Sequence, residues 1–227
     1  MENVNAQNSG RTSSGPELAK QTEALKPTSR WHEILSFAKT LLIIIAAAIF
    51  LRATVIEAFK IPSGSMVPTL RIGDRIFVWK LAYGLRFPFI QKTVFQYRLP
   101  QRGDVVVFTR ENDSTTIEDE SSTNIIKRVV GLPGDTVEVK GSRVYINNQP
   151  YEEAYARWED GGIREGNFGP ETVPPDRIFL LGDNRDRSKD SRFWGDSPYL
   201  PVENVKGKAF LVYWSWDSVS RIGSVIR

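Results

Sequence analysis

The chain has 227 residues, with 30 Lys and Arg against 27 Asp and Glu, one histidine and no cysteine. The missing cysteines exclude a disulfide framework, thiolate-ligated zinc and a Cys/His nucleophilic pair, and His32 alone cannot make a histidine-based metal motif. A net charge of +3 is too small to argue for a nucleic-acid partner, and neither metal nor cofactor is expected.

Residues 1 to 30 are rich in Asn, Ser, Gln, Thr and Lys and carry few large apolar groups, so they read as a flexible tail that cannot offset its own ordering entropy. An uncharged run from Thr40 to Leu51 follows, bounded by Lys39 and Arg52. This core is shorter than the roughly 20 residues that span a bilayer. Extending it from Ile34 to Phe59 supplies the length, because Lys39 and Arg52 can snorkel from near its ends. A cleavable signal is the rival reading, opposed by the long polar segment ahead of it, and a buried helix is the plainer one. The anchor is preferred. Arg11, Lys20, Lys26, Arg30 and Lys39 precede it, which favours a cytoplasmic N-terminus and places the bulk of the chain on the far side.

About 170 residues then remain for one folded domain. Val-, Ile- and aromatic-rich runs at Arg75 to Lys80, Asp104 to Thr109, Asn124 to Val130, Thr136 to Val139, Arg143 to Ile146, Arg177 to Leu181 and Lys208 to Trp214 predict strands. Turn formers such as Gly131-Leu132-Pro133-Gly134-Asp135, Asn147-Asn148 and Pro174-Pro175 separate them. The fold class is therefore mainly β, an antiparallel sheet or partly closed barrel behind a single N-terminal transmembrane helix. Glu111 to Thr123 suits a mobile acidic loop. Trp79, Tyr83, Phe87, Phe89 and Phe95, interleaved with Lys80, Arg86 and Lys92, fit either core packing or the membrane interface.

Ser65 lies in Ile61-Pro62-Ser63-Gly64-Ser65-Met66-Val67-Pro68, where two prolines restrict the backbone and Gly64 permits close approach. With the only imidazole ahead of the anchor, the plausible base for a serine is a lysine. Lys127 shares a strand face with Ile125 and Val129, opposite Arg128. A lysine has a reference pKa of about 10.4 and is normally charged, but an apolar face penalises the ammonium and can yield a base. Most strand lysines lie instead on solvated faces. The loop Gly182-Asp183-Asn184-Arg185-Asp186-Arg187-Ser188-Lys189-Asp190-Ser191-Arg192 lacks the glycine and final glutamate of a calcium loop, and a polar network supporting a site fits it better.

These segments, in this order, closely resemble the bacterial type I signal peptidases, membrane-bound Ser/Lys proteases that remove signal peptides from exported proteins. The resemblance covers the anchor, Ile61 to Val78, Arg102 to Phe108, Ile125 to Asp135 and Gly182 to Arg192. It implies Ser65 as nucleophile and Lys127 as general base, with the Ser63 hydroxyl and the Ser65 N–H as oxyanion hole. It also implies that Ser188 orients Lys127, and that Asp183, Arg128, Asp190 and Arg192 support the site. The implied partners are exported preproteins, cut after Ala-X-Ala, and the lipid bilayer, with the enzyme a monomer. The expected domains are a tail over 1–30, an anchor over 34–59 and a catalytic domain over 60–227 that holds a small β insertion around 136–181. The catalytic domain would face the periplasm, the extracytoplasmic space or a thylakoid lumen.

Two other readings fit the sequence less well. A self-cleaving Ser/Lys repressor would need a DNA-binding or soluble partner segment where this chain has an apolar one, and a non-catalytic β domain that binds extended peptides would not need both Ser65 and Lys127. Ser36-Phe37-Ala38-Lys39 matches a Ser-x-x-Lys motif without its companion motifs, and Arg102-Gly103-Asp104 is better explained as a turn. Asn112-Asp113-Ser114 is a formal glycosylation acceptor only.

Overall fold

A computed structural model describes residues 30–85, 93–110, 124–158, 166–195 and 197–227. Residues 1–29 of the tail expected over 1–30, the interface candidates Arg86, Phe87, Phe89 and Lys92, and the acidic segment 111–123 lie outside them.

Helix α1 spans Arg30–Thr54, and its Arg30–Phe50 portion is long and apolar enough to cross a membrane by length and composition. Its apolar side chains are exposed, Ile44 at 59% and Phe50 at 68%. The helix ends earlier than the apolar run suggested. Ile56 to Phe59, assigned from sequence to the anchor, belong instead to strand β1, Ile56–Lys60, because their backbone pairs with Arg75–Trp79. Interstrand hydrogen bonds over five residues there outweigh the local apolar continuity.

The remaining strands follow in chain order: β2 Arg75–Trp79, β3 Gly84–Leu85, β4 Phe95–Gln96, β5 Val105–Phe108, β6 Ile125–Gly131, β7 Thr136–Lys140, β8 Arg143–Ile146, β9 Gln149–Tyr151, β10 Phe168–Thr172, β11 Arg177–Leu181, β12 Leu200–Pro201 and β13 Val205–Trp214. They form an antiparallel seven-stranded sheet, ordered β1-β2-β13-β5-β6-β11-β12, a four-stranded sheet ordered β10-β7-β8-β9, and the pair β3-β4. The fold is mainly β, as expected. Every strand predicted from sequence is present. Those not predicted include β9, β10 and β12, which carry Pro150, Pro170 and Pro201 and lie at sheet edges, where a residue without an N–H removes no ladder bond.

Strand β5 shows why the large sheet is rigid at its centre. Val105 and Val107 enter one core cluster with Ile61, Met66, Leu70 and Ile76, while Val106 and Phe108 enter another with Val129, Ile178 and Leu180. A continuous apolar run is what a strand buried on both faces requires.

Asp74, fully buried, ties the turn after Ser65 to the end of the chain. It accepts from Ser215 Oγ at 2.7 Å, Arg221 Nη2 at 2.6 Å and the Arg71 N–H at 2.9 Å. Burial pushes its carboxyl up, but the Arg221 bond, the Arg71 and Ser215 bonds and the Arg221 charge together hold it below the ordinary value. The folded pKa lies below the unfolded one, so this stabilisation is present above the unfolded pKa and is lost as pH falls through the folded one. Asp74→Asn should lose stability at neutral pH, and its deficit against the parent in urea melts should shrink as pH drops below about 4. A deficit constant between neutral and strongly acidic pH would contradict this linkage.

Candidate active site

The chain leaves β1 and turns back into β2 through a closed loop. The Ile61 N–H donates to Asp74 O at 2.8 Å and the Gly73 N–H to Ile61 O at 2.9 Å, while the Leu70 N–H bonds Met66 O at 2.8 Å. Met66 and Leu70 are fully buried, so the loop is pinned by its apolar side chains with Ser65, 5% exposed, held between them and Ser63. Ser63 Oγ and Ser65 Oγ are 3.4 Å apart.

Lys127 comes from the middle of β6, opposite Val106 of β5. It is 1% exposed, and its Nζ donates to Ser65 Oγ at 2.9 Å. Residues 62 positions apart thus meet in a buried contact. Taking an ammonium out of water disfavours the charged form, which is the condition a lysine base needs.

Arg128, the next residue, projects to the other face. The β6–β11 register sets it opposite Leu181, so Asp183, two residues further, meets its guanidinium. The pair is bidentate, Nε to Oδ1 at 2.8 Å and Nη2 to Oδ2 at 2.6 Å, with both side chains at most 1% exposed. Thr69 Oγ1 donates to Asp183 Oδ2 at 2.5 Å, and Arg128 Nη1 donates to Gly103 O and Arg227 O, each at 2.7 Å. Asp190 accepts from the Gly182 N–H at 3.0 Å and from Arg192 Nε at 2.8 Å, and Arg192 Nη2 reaches Arg185 O at 2.6 Å. The loop 182–192 is therefore held by buried, hydrogen-bonded charges rather than by apolar packing.

This loop touches the serine directly. The Asn184 N–H donates to Ser65 O at 3.0 Å. Gly182 is required there, because a Cβ at that position would lie 2.2 Å from Ser188 Oγ and 2.6 Å from Ser65 O. Ser188, expected to orient Lys127, is buried against Gly182, and its Oγ has no hydrogen-bond partner among the described residues. The structure therefore brings Ser63, Ser65 and Lys127 together, and joins Asp183 to Arg128 and Asp190 to Arg192. Thr69, Asn184, Arg185, Glu153 and Tyr155 also belong to the network but were not singled out from sequence. Thr69 lies just past the serine segment and Asn184 and Arg185 in the charged loop, whereas Glu153 and Tyr155 carry no local signal.

Beside the serine loop, an apolar cavity of about 200 Å³ is lined by Phe59, Ile61, Pro62, Ile76, Val107 and Ile126, among others. It can take a small apolar side chain.

Over residues 34–214 the chain matches the family described as Signal peptidase, peptidase S26. It is 38% identical over 185 residues to signal peptidase I of Leptolyngbya laminosa, covering 82% of each chain. To signal peptidase I of Pseudomonas aeruginosa it is 36% identical over 215 residues, covering 81% of this chain and 73% of that one. Signal peptidase I of Bacillus licheniformis is 34% identical over 202 residues, 86% of this chain and 97% of its own. With a family match across most of its length and relatives 34–38% identical over most of both chains, this chain belongs to the signal peptidase family, peptidase S26.

Proposed function

We propose that this protein is a signal peptidase I that removes signal peptides from exported preproteins by a Ser65/Lys127 dyad. The observation that carries the reading is the buried 2.9 Å contact between Lys127 Nζ and Ser65 Oγ. Neutral Lys127 takes the Ser65 proton as Oγ attacks the scissile carbonyl, and the resulting ammonium then protonates the leaving amine. Water, activated by the same lysine, hydrolyses the acyl-enzyme. The Ser65 N–H and the Ser63 hydroxyl stabilise the tetrahedral oxyanion. Arg128, Asp183, Asp190, Arg192 and Ser188 hold the frame, Ser188 by packing against Gly182.

The substrate binds extended with an apolar side chain toward the cavity beside the serine loop; cleavage after Ala-X-Ala is the preference that family resemblance implies. Helix α1, Arg30–Thr54, supplies the anchor, with the chain ahead of it cytoplasmic and the catalytic domain, which begins with β1 at Ile56, on the other side. Anchoring raises the local concentration of substrates that are themselves inserted in the bilayer. The enzyme acts as a monomer.

The test is incubation of purified full-length protein with a preprotein, followed by N-terminal sequencing of the product. Cleavage after the small residue, lost when that residue is replaced by phenylalanine, is the expected result. Absence of cleavage would favour a peptide-binding domain instead.

A further inference from the structure

The segment between β9 and the described part of β10's approach, residues 152–158, leaves the four-stranded sheet and returns to the catalytic loop. Its contacts are unusually concentrated on two arginines. The Tyr155 ring stacks on the Arg128 guanidinium with 3.9 Å from Cζ to the ring centroid, the shortest such distance among the described cation–aromatic pairs. The Glu153 carboxylate takes both Nη atoms of Arg185 at 2.6 Å, with side chains 5% and 0% exposed. Tyr155 Oη donates to Glu153 Oε1 at 3.0 Å, which joins the two contacts.

The backbone closes the same connection. The Arg157 N–H donates to Asp183 O at 2.7 Å and the Arg185 N–H to Arg157 O at 2.9 Å, a short parallel bridge that flanks Asn184. Asn184 is the residue whose N–H holds Ser65 O. Arg185 Nε also bonds Gly182 O at 2.9 Å, fixing the turn in which no side chain fits. Burial, and after it the Glu153 charge, holds the Tyr155 phenol well above its ordinary range, so its hydroxyl stays a donor.

We infer that Glu153 and Tyr155 are positioning residues for the cleavage reaction, acting as a latch from the small sheet that holds the catalytic loop against Ser65 through Arg185 and Arg128. The inference rests on the proposed Ser65/Lys127 peptidase activity. A loop released by even a small distance loosens the Ser65 carbonyl and hence the alignment of its Oγ, which lowers the rate of a bound substrate rather than its binding. The latch lies away from the cavity beside the serine loop, whose lining contains neither residue.

The experiment compares wild type, Tyr155→Leu, Tyr155→Phe and Glu153→Gln on a preprotein substrate, with kcat and KM separated and the folded fraction measured by thermal melting. Without the ring against Arg128 the loop is no longer held in place, and kcat of Tyr155→Leu should fall at least tenfold. KM should stay within about twofold of wild type, since neither residue lines the cavity beside the serine loop. Tyr155→Phe keeps the ring and should recover most of the rate, and Glu153→Gln should lower kcat again without raising KM. Wild-type kcat per folded molecule in Tyr155→Leu, or a loss carried by KM, overturns the inference, as does equal impairment of Tyr155→Phe and Tyr155→Leu. Should Tyr155→Leu not fold, Glu153→Gln decides: unchanged kcat overturns the latch. Wild-type cleavage with an inactive Ser65→Ala control separates failure of the latch from failure of the peptidase reading.

Discussion

Ser65→Ala and Lys127→Ala should each reduce preprotein cleavage by about 10⁴-fold or more, because members of a nucleophile–base pair act as a unit and removing either disables the other. Ser65→Ala deletes the attacking oxygen. Lys127→Ala leaves the oxygen but removes the group 2.9 Å away that receives its proton. Lys127→Arg should be as inactive as the alanine variant, since a guanidinium keeps its proton under any assay condition and cannot serve as base. Undiminished cleavage by any of the three would sink the assigned dyad. Wild-type activity should also fall as pH is lowered and Lys127 becomes an ammonium, and a rate that stays flat down through mildly acidic pH would contradict a lysine base.

Asp183→Ala is expected to have the largest effect on stability. It leaves the Arg128 guanidinium 1% exposed without its carboxylate, and stripping one partner from a buried pair costs about 3–5 kcal/mol. For a domain of this size that corresponds to a Tm lower by roughly 6–20 °C. Replacing both partners with apolar residues, Arg128→Met with Asp183→Leu, should recover much of the lost stability, because neither buried charge then remains. Activity should not return with it. The ion pair also carries Thr69 Oγ1, from the segment just past Ser65, and Gly103 O and Arg227 O, none of which methionine and leucine can bond. A Tm for Asp183→Ala within a degree or two of wild type, measured by calorimetry, would refute the structural weight given to this pair.

Both effects depend on contacts of very different legibility. Strands β5, β6, β8 and β11 are readable because burial on one or both faces imposes runs of valine, isoleucine, leucine and phenylalanine on the chain. Strand β1 was hidden, since Ile56 to Phe59 continue the apolar composition of α1 and only pairing with β2 distinguishes strand from helix. Edge strands such as β9 and β12 tolerate proline and carry little pattern, so they become visible only once their partners are known.

The sequence by itself determined the class of chemistry: no cysteine, a single histidine ahead of an apolar segment, a serine between prolines and a lysine facing an apolar strand surface leave few nucleophile–base pairs open. Resemblance joined Ser65 to Lys127 and marked the charged loop. Tertiary structure alone decided which partners the buried charges take. Arg128 meets Asp183 because the β6–β11 register brings positions 55 apart into hydrogen-bond range, and Glu153 meets Arg185 because a segment of the small sheet doubles back on the loop. Such pairings leave no local pattern, since a charge needs only a complementary group within a few ångströms, and the path of the whole chain selects that group.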